Sequence, residues 1–268
     1  MKRVLAISDT HCGQIFGLTP PEWQGLHRSE EVVNAQRKMW GFYTDNVKAI
    51  THSSPTGKID VLLSAGDGID GTGRRNGGVE IFVPDLYEQS TMYRQAMTYA
   101  EPSEVVAVYG TAYHTDGLEG TNFEQIAIDG LPMDAHFVEK AHINIEGCEI
   151  DMRHHVSTSS IPHGRGTAIS KEKLWADLNA YEDEEERPDL LLRGHAHYHA
   201  CMSGMSRGKR WWAMTLPSLQ GSTKYGITRC LGRVDFGLTW FDIDKGEVKA
   251  WDTVTLPIFL KRPKIKIV

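Results

Sequence analysis

Four short blocks of aspartate and histidine, each closing an apolar run of strand character, constrain this 268-residue chain more than anything else in it. They are Asp9-Thr10-His11, Gly66-Asp67, His154-His155 and Gly194-His195-Ala196-His197. Val4 to Ile7 precedes the first, Val61 to Leu63 the second, Cys148 to Met152 the third and Leu190 to Leu192 the fourth. Strands aligned in an open α/β sheet bring their carboxyl ends to one edge, where such folds bind ligands. Two aspartates and at least four imidazoles then converge, which is a donor set for two divalent metal ions.

The rest of the chain supplies the frame. A helix is expected over Ser29–Thr51, where apolar residues recur with a helical period behind Ser29, Glu30 and Glu31. The second strand spans Ile59–Ala65, and a second helix covers Asp85–Ala100 behind Pro84. Val105–Tyr109 is a third strand, and Phe123–Ile128 a short helix. A hairpin is expected from Phe137–Ile145 through Glu146-Gly147 to Cys148–His155. A helix over Ala168–Tyr181 leads by the acidic run Glu182–Glu186 to the strand Asp189–Arg193. Arg210–Leu216, Asp235–Asp244 and Glu247–Thr255 read as three antiparallel strands, and the tail Lys261–Lys266 as peripheral. Helices alternating with strands, then mostly strands, give an α/β domain of two facing mixed sheets flanked by helices, spanning residues 1–268.

A hydrophobic fraction of 40% supports a sizeable core, and a net charge of −6 argues against general attraction to duplex nucleic acid or anionic membrane. Cys12, Cys148, Cys201 and Cys230 are scattered without zinc-ribbon spacing, as expected of free thiols in a reducing, cytoplasmic setting. Lys2 and Arg3 are followed by an apolar stretch that ends at Asp9, too short for a signal peptide, and no run reaches membrane-spanning length.

In an extended segment residues i and i+2 project to the same side, so Asp9 and His11 can share one ion, as can His195 and His197. Asp67 has two oxygens with which to bridge a pair. Two such ions promote in-line displacement at phosphorus, with a hydroxide held between them as nucleophile.

In order and spacing the blocks resemble the calcineurin-like metallophosphoesterase superfamily. Its pattern runs Asp-x-His, Gly-Asp-x-x-Asp, Gly-Asn-His-Asp/Glu, a strand-end His, then Gly-His-x-His. Here Asp9 to His11, Gly66 to Asp70, His154 or His155, and Gly194 to His197 stand in its first, second, fourth and fifth places. The resemblance implies a four-layer sandwich with Asp9, His11, Asp67 and His197 on metal one. It puts Asp67, His154 and His195 on metal two, with His154 preferred to His155. Manganese is the first expectation, with Fe, Zn, Ni and Mg as alternatives.

The third block departs from that pattern. After Tyr109 the chain reads Gly110-Thr111-Ala112-Tyr113-His114-Thr115-Asp116. The family's asparagine ligand falls at Thr111, and its leaving-group histidine falls two residues late, at His114. Metal two then uses Thr111, recruits His114 or Asp116, or keeps an extra water. The variant is similar to one in phage and prophage phosphoesterases. Asp67 and His114 are the expected catalytic residues, and Asp70 is read as a residue that supports a ligand from behind or shapes the loop, rather than as a ligand.

The substrate class implied is a phosphate ester, a phosphodiester rather than a phosphoprotein, because Gly71 stands where the protein-phosphatase branch has arginine. Nucleic acid or a nucleotide remains an open substrate, and the oligomeric state is not specified. Arg74 and Arg75 are either a phosphate clamp or a solvated pair. Trp211 and Trp212, beside Lys209 and Arg210, are read as strand packing over a single-strand groove. His163 to Gly166 is a flexible loop and His199 structural. The competing function is a non-catalytic metal-binding scaffold of the same fold, favoured by the altered third block.

Overall fold

In the computed structural model, residues 1–73, 77–115, 120–159, 161–182, 186–223 and 234–256 are described. Arg74, Arg75, Asp116, Cys230 and the stretch Lys261–Lys266 lie outside them. Apolar strand runs that leave no polar face must be covered on both sides, and two sheets stacked between helices do this. In the first sheet β1 (Lys2–Ile7), β2 (Val61–Ser64), β3 (Glu104–Val108) and β4 (Asp134–Val138) run parallel. β10 (Phe236–Asp244) pairs antiparallel with β1 and carries β11 (Glu247–Leu256) at the edge, giving the order β11-β10-β1-β2-β3-β4. The second sheet has the order β5-β6-β7-β9-β8, from β5 (Ala141–Ile145), β6 (Cys148–Arg153), β7 (Leu190–Arg193), β8 (Ala200–Ser206) and β9 (Lys209–Thr215).

Period-two alternation distributes β1 between two cores. Leu5 and Ile7 pack outward against α1 (Glu30–His52), α2 (Leu86–Tyr99) and α4 (Phe123–Asp129). Val4 and Ala6 pack inward against Ile150, Met152, Leu190, Leu192 and Met214 of the second sheet. On the far side α5 (Arg165–Glu182) covers Leu191 and Ala213 with Ile169. The layers are therefore helix, sheet, sheet, helix. Asp85 caps α2 by accepting from the Tyr87 and Glu88 amides.

The structure differs from expectation at four places. The stretch read as one hairpin strand, Phe137–Ile145, is two: β4 closes the edge of the first sheet beside β3, and after Glu139-Lys140 the chain crosses to the second sheet as β5. Both pieces alternate like strands, so periodicity did not register the change of sheet. β9 does not pair with β10, its neighbour in the expected group of three, and its antiparallel partner is β8. β9 also runs parallel to β7 in the second sheet, while β10 and β11 belong to the first. β8, of sequence ACMSGMS, was not expected, because it lacks the β-branched and aromatic residues that mark strands. The His163 to Gly166 segment is not a flexible loop; Pro162–Gly164 is a 3-10 turn and α5 begins at Arg165. Among the described cysteines, Cys12, Cys148 and Cys201 are free thiols, and no described helix is long and apolar enough to cross a membrane.

Arg3 ties the layers together. Its Nε donates to Asp242 Oδ1 at 2.6 Å, Nη2 to Oδ2 at 3.0 Å, and Nη1 to the Ile50 carbonyl at the end of α1 at 2.8 Å. The guanidinium also lies 4.1 Å from the Trp240 ring centroid. Removing one partner of a buried pair strands the other charge. Arg3→Ala is expected to lower the unfolding free energy by about 3–5 kcal/mol, read from urea unfolding monitored by circular dichroism.

Candidate metal centre

The loops leaving β1, β2, β3, β6 and β7 meet at one end of the sandwich. The first two are knitted together by backbone bonds from Asp9 N to Gly66 O (3.0 Å), His11 N to Asp67 O (3.0 Å) and Cys12 N to Gly68 O (2.9 Å). Close approach is enforced by glycine. A Cβ on Gly110 would stand 2.3 Å from the Asp67 amide nitrogen, and one on Gly194 2.3 Å from Ser8 Oγ and 3.0 Å from His154 Nδ1. The backbone is also held in unusual conformations. Nine described non-glycine residues have positive φ, and five of them are Asp9, His11, Asp67, His195 and His197. Such conformations persist only where the surroundings over-determine them, and they cluster at functional sites.

Three overlapping donor triads result, each with its ligand atoms within 4.8 Å of one another. They are Asp9, His11 and His197; His11, Asp67 and His114; and Asp67, His154 and His195. Thr111 joins the last of these: its amide donates to Asp67 Oδ1 at 2.5 Å, and its Oγ1 lies 3.2 Å from both Asp67 Oδ2 and His154 Nε2. Asp70 holds His11 from behind, its Oδ1 2.8 Å from Nδ1. His155 is turned out and stacks on His195, ring centroids 4.8 Å apart. His199 lies with Nδ1 3.0 Å from the Thr215 carbonyl and joins no triad. Trp212 packs edge-on against Trp251 at 5.2 Å, and Trp211 joins the core beneath α5, so both tryptophans serve packing.

Ring orientation gives the cluster its chemistry. His154 Nδ1 lies 2.7 Å from the Ala65 carbonyl and His114 Nδ1 2.9 Å from the Asp70 carbonyl. A carbonyl only accepts, so each Nδ1 carries the proton. With Asp70 on its Nδ1, His11 is arranged in the same way. In the neutral rings each Nε2 is then a bare lone pair. His154 Nε2 faces Asp67 Oδ2 at 3.0 Å, acceptor against acceptor. His11 Nε2 and Asp9 Oδ1 are buried without any hydrogen-bond partner; His197 Nε2 comes within 3.1 Å of that oxygen but not in hydrogen-bonding geometry. Lone pairs converging in this way need a proton or a cation between them. A ring nitrogen bonded to a backbone oxygen or carboxylate while the other points inward is the usual state of a metal-ligating histidine. The donor set therefore fits divalent metal ions.

Electrostatics agree. Burial alone would lower His11, but Asp70, Asp9 and Asp67 carry it up to about 10. Burial likewise opposes, and Asp67 and Asp9 overcome, in bringing His154 up to about 9. Burial would raise Asp67, yet His154, His11 and His114 hold it well below the usual carboxylate range. His195, with burial the larger cause and His154 beside it, falls to about 4. His114 is lowered by burial and by His11.

Glu124, in the first turn of α4, escaped sequence reasoning. It is wholly buried; Oε2 accepts from the Gly110 amide at 2.9 Å, and Oε1 accepts from the Gly68 amide. One carboxylate thus joins the loops that carry Asp67 and Thr111. Burial and then Asp67 push it up to about 7. No metal-ligand spacing marks it, because it acts through backbone amides. Ser8, whose hydroxyl bonds Asp9 Oδ2, is similarly unmarked.

The pH dependence follows. His11 and His154 are raised above the ordinary 6.5, so in the ion-free protein their stabilisation is full below pH 6.5 and is lost as pH rises through about 9 to 10. A metal ion needs the same rings deprotonated, so ion binding releases protons and tightens with pH. The increase in melting temperature produced by Mn²⁺ is expected to grow from pH 6.5 to 8.5, measured by scanning calorimetry with and without the ion.

No protein-family model and no curated protein matches the chain. Among solved structures it is similar to Vps29 of Chaetomium thermophilum, at 14% identity and a TM-score of 0.43, over 95% of this chain and 98% of that one. A metallophosphoesterase from Sphaerobacter thermophilus is similar at 12% identity and a TM-score of 0.37, over 95% and 88%. The purple acid phosphatase PPD1 of yellow lupin is similar at 11% identity and a TM-score of 0.46, over 95% of this chain and 53% of that one. At these identities and TM-scores the likeness carries no argument, and the chemistry of the site stands on its own residues. Two facing mixed sheets flanked by helices, with aspartates and histidines gathered at one end, form the architecture that the calcineurin-like resemblance implied.

Proposed function

We propose that this chain is a metal-dependent phosphoesterase of the calcineurin-like superfamily, acting on phosphodiesters, with nucleic acid or a nucleotide as the open choices of substrate. The observation that carries the reading is the inward convergence of Nε2 lone pairs on Asp9 and Asp67, with Asp9 Oδ1 and His11 Nε2 buried and unsatisfied. Asp9, His11, His197 and one oxygen of Asp67 would hold the first ion. Asp67, His154, His195 and Thr111 would hold the second. The mixed nitrogen and oxygen donors suit manganese first, with Fe, Zn, Ni and Mg as alternatives. Such ions supply positive charge that offsets the charge on phosphoryl oxygens during in-line displacement.

The chain's own residues do the rest. Asp70 fixes the His11 ring through Nδ1, and the Ala65 carbonyl fixes His154, so both present Nε2 without rearrangement. His114 is held neutral with Nδ1 committed to the Asp70 carbonyl, which leaves Nε2 as its one free acceptor. From that state it takes up a proton or a ligand first, and can protonate a leaving alkoxide only after the uptake. Membership of His114 in a triad with His11 and Asp67 supports both roles.

The test is hydrolysis of bis-p-nitrophenyl phosphate with added Mn²⁺. Replacing outer-shell partners of metal ligands typically costs 10–100-fold, so Asp67→Asn, which removes one oxygen donor and the negative charge that both ions would share, is expected to lower kcat/KM by at least about 100-fold. Background rates from both proteins would leave the scaffold reading standing and the enzyme reading without support.

A further inference from the structure

From the outer face of α5 we infer that this chain forms a two-fold symmetric dimer in which α5 packs antiparallel against α5 of a second copy. The helix is amphipathic in an inverted sense. Toward the sheet it buries Ile169, but also Lys173, whose ammonium bonds Asp177 and lies 5.2 Å from the Trp211 ring centroid. Toward solvent it presents Leu174 at 61% exposure, Trp175 at 64%, Leu178 at 41% and Tyr181 at 83%. With 100° per residue these four fall within about 120° of the helix circumference. Scattered apolar residues on a surface need no explanation, whereas a contiguous stripe on one helix face marks an interaction surface.

The charges on α5 say what covers it. Glu172 is taken up by Arg153 and Arg193, and Asp177 by Lys173 and Arg187. Among the described residues Lys171 and Glu182 are exposed and make no ion pair. Both project on the same face as the apolar stripe and bracket it, about 16 Å apart along the axis. Glu182 occupies the last turn, where the helix dipole disfavours a carboxylate, so the helix itself does not account for it. A two-fold axis crossing the stripe between Ala176 and Asp177 sets Trp175 against Leu178 of the second copy. The same operation sets Lys171 against Glu182 of that copy, and Glu182 against its Lys171. A closed two-fold contact requires a self-complementary patch, and one helix with a cation at one end of an apolar stripe and an anion at the other is self-complementary only when antiparallel.

Sedimentation equilibrium of the full chain tests this. The wild-type protein is expected to be dimeric, and Trp175→Ser, an exposed substitution that leaves the fold intact by circular dichroism, monomeric. Lys171→Glu alone and Glu182→Lys alone each turn two attractive pairs into two repulsive ones, and each is expected to weaken dimerisation about tenfold. Mixed in equal amounts, the two single variants recreate both attractive pairs across a heterodimer, and dimerisation is expected to recover. A monomeric wild type, as when another part of the same chain covers the stripe, would overturn the proposal. So would a dimer indifferent to Trp175→Ser, or a mixture no tighter than its separate components.

Discussion

Buried acceptors that face one another govern this structure. Asp67 with His154, and Asp9 with His11, bring oxygen and nitrogen lone pairs together in a region shielded from water, with His197 at its edge. Water solvates such groups at the surface, but burial withdraws that option, and the repulsion must be relieved by protons or by cations. In the ion-free protein protons do this, which is why His11 and His154 are raised while Asp9 and Asp67 are lowered. A divalent ion held by Asp9, His11, Asp67 and His154 would supply a larger charge in place of those protons, and the Nε2 atoms of His11 and His154 already face the carboxylates.

The surrounding fold holds that arrangement in place. Five of the donors adopt positive φ, each at a cost on the order of 1–3 kcal/mol. They are kept there by the backbone bonds between the β1 and β2 loops, by the Glu124 carboxylate between the β2 and β3 loops, and by the His195 amide bonded to Asp9 Oδ2 at 3.0 Å. Behind them the strands pack on both faces, so the loops rest on a rigid edge. The strain at the site is offset by burial in the sandwich.

Much of this was legible in the sequence where a local pattern encodes a global position. Apolar runs of three to five residues located β1, β2, β3 and β7 and alternation located β6, and Asp and His blocks marked the carboxyl ends of β1, β2, β6 and β7. Residues acting through the backbone were not legible: Glu124 binds two amides, and the Ala65 carbonyl orients His154, and neither carries a side-chain signature of its role. Sheet membership also escaped, since β4 and β5 alternate alike while pairing with different sheets, and β8 lacks strand-forming residues. The inverted face of α5 depends on Lys173 finding Asp177 and Trp211 beneath the helix, a tertiary contact that periodicity does not register.

The proposed metal centre is a pair of adjoining cation sites sharing Asp67. Anomalous diffraction at the manganese edge, from crystals of the full chain equilibrated with Mn²⁺, tests it most directly. Two peaks are expected, one among Asp9, His11 and His197 and one among His154, His195 and Thr111, with Asp67 touching both. A single peak at saturation, or peaks away from these residues, would contradict it.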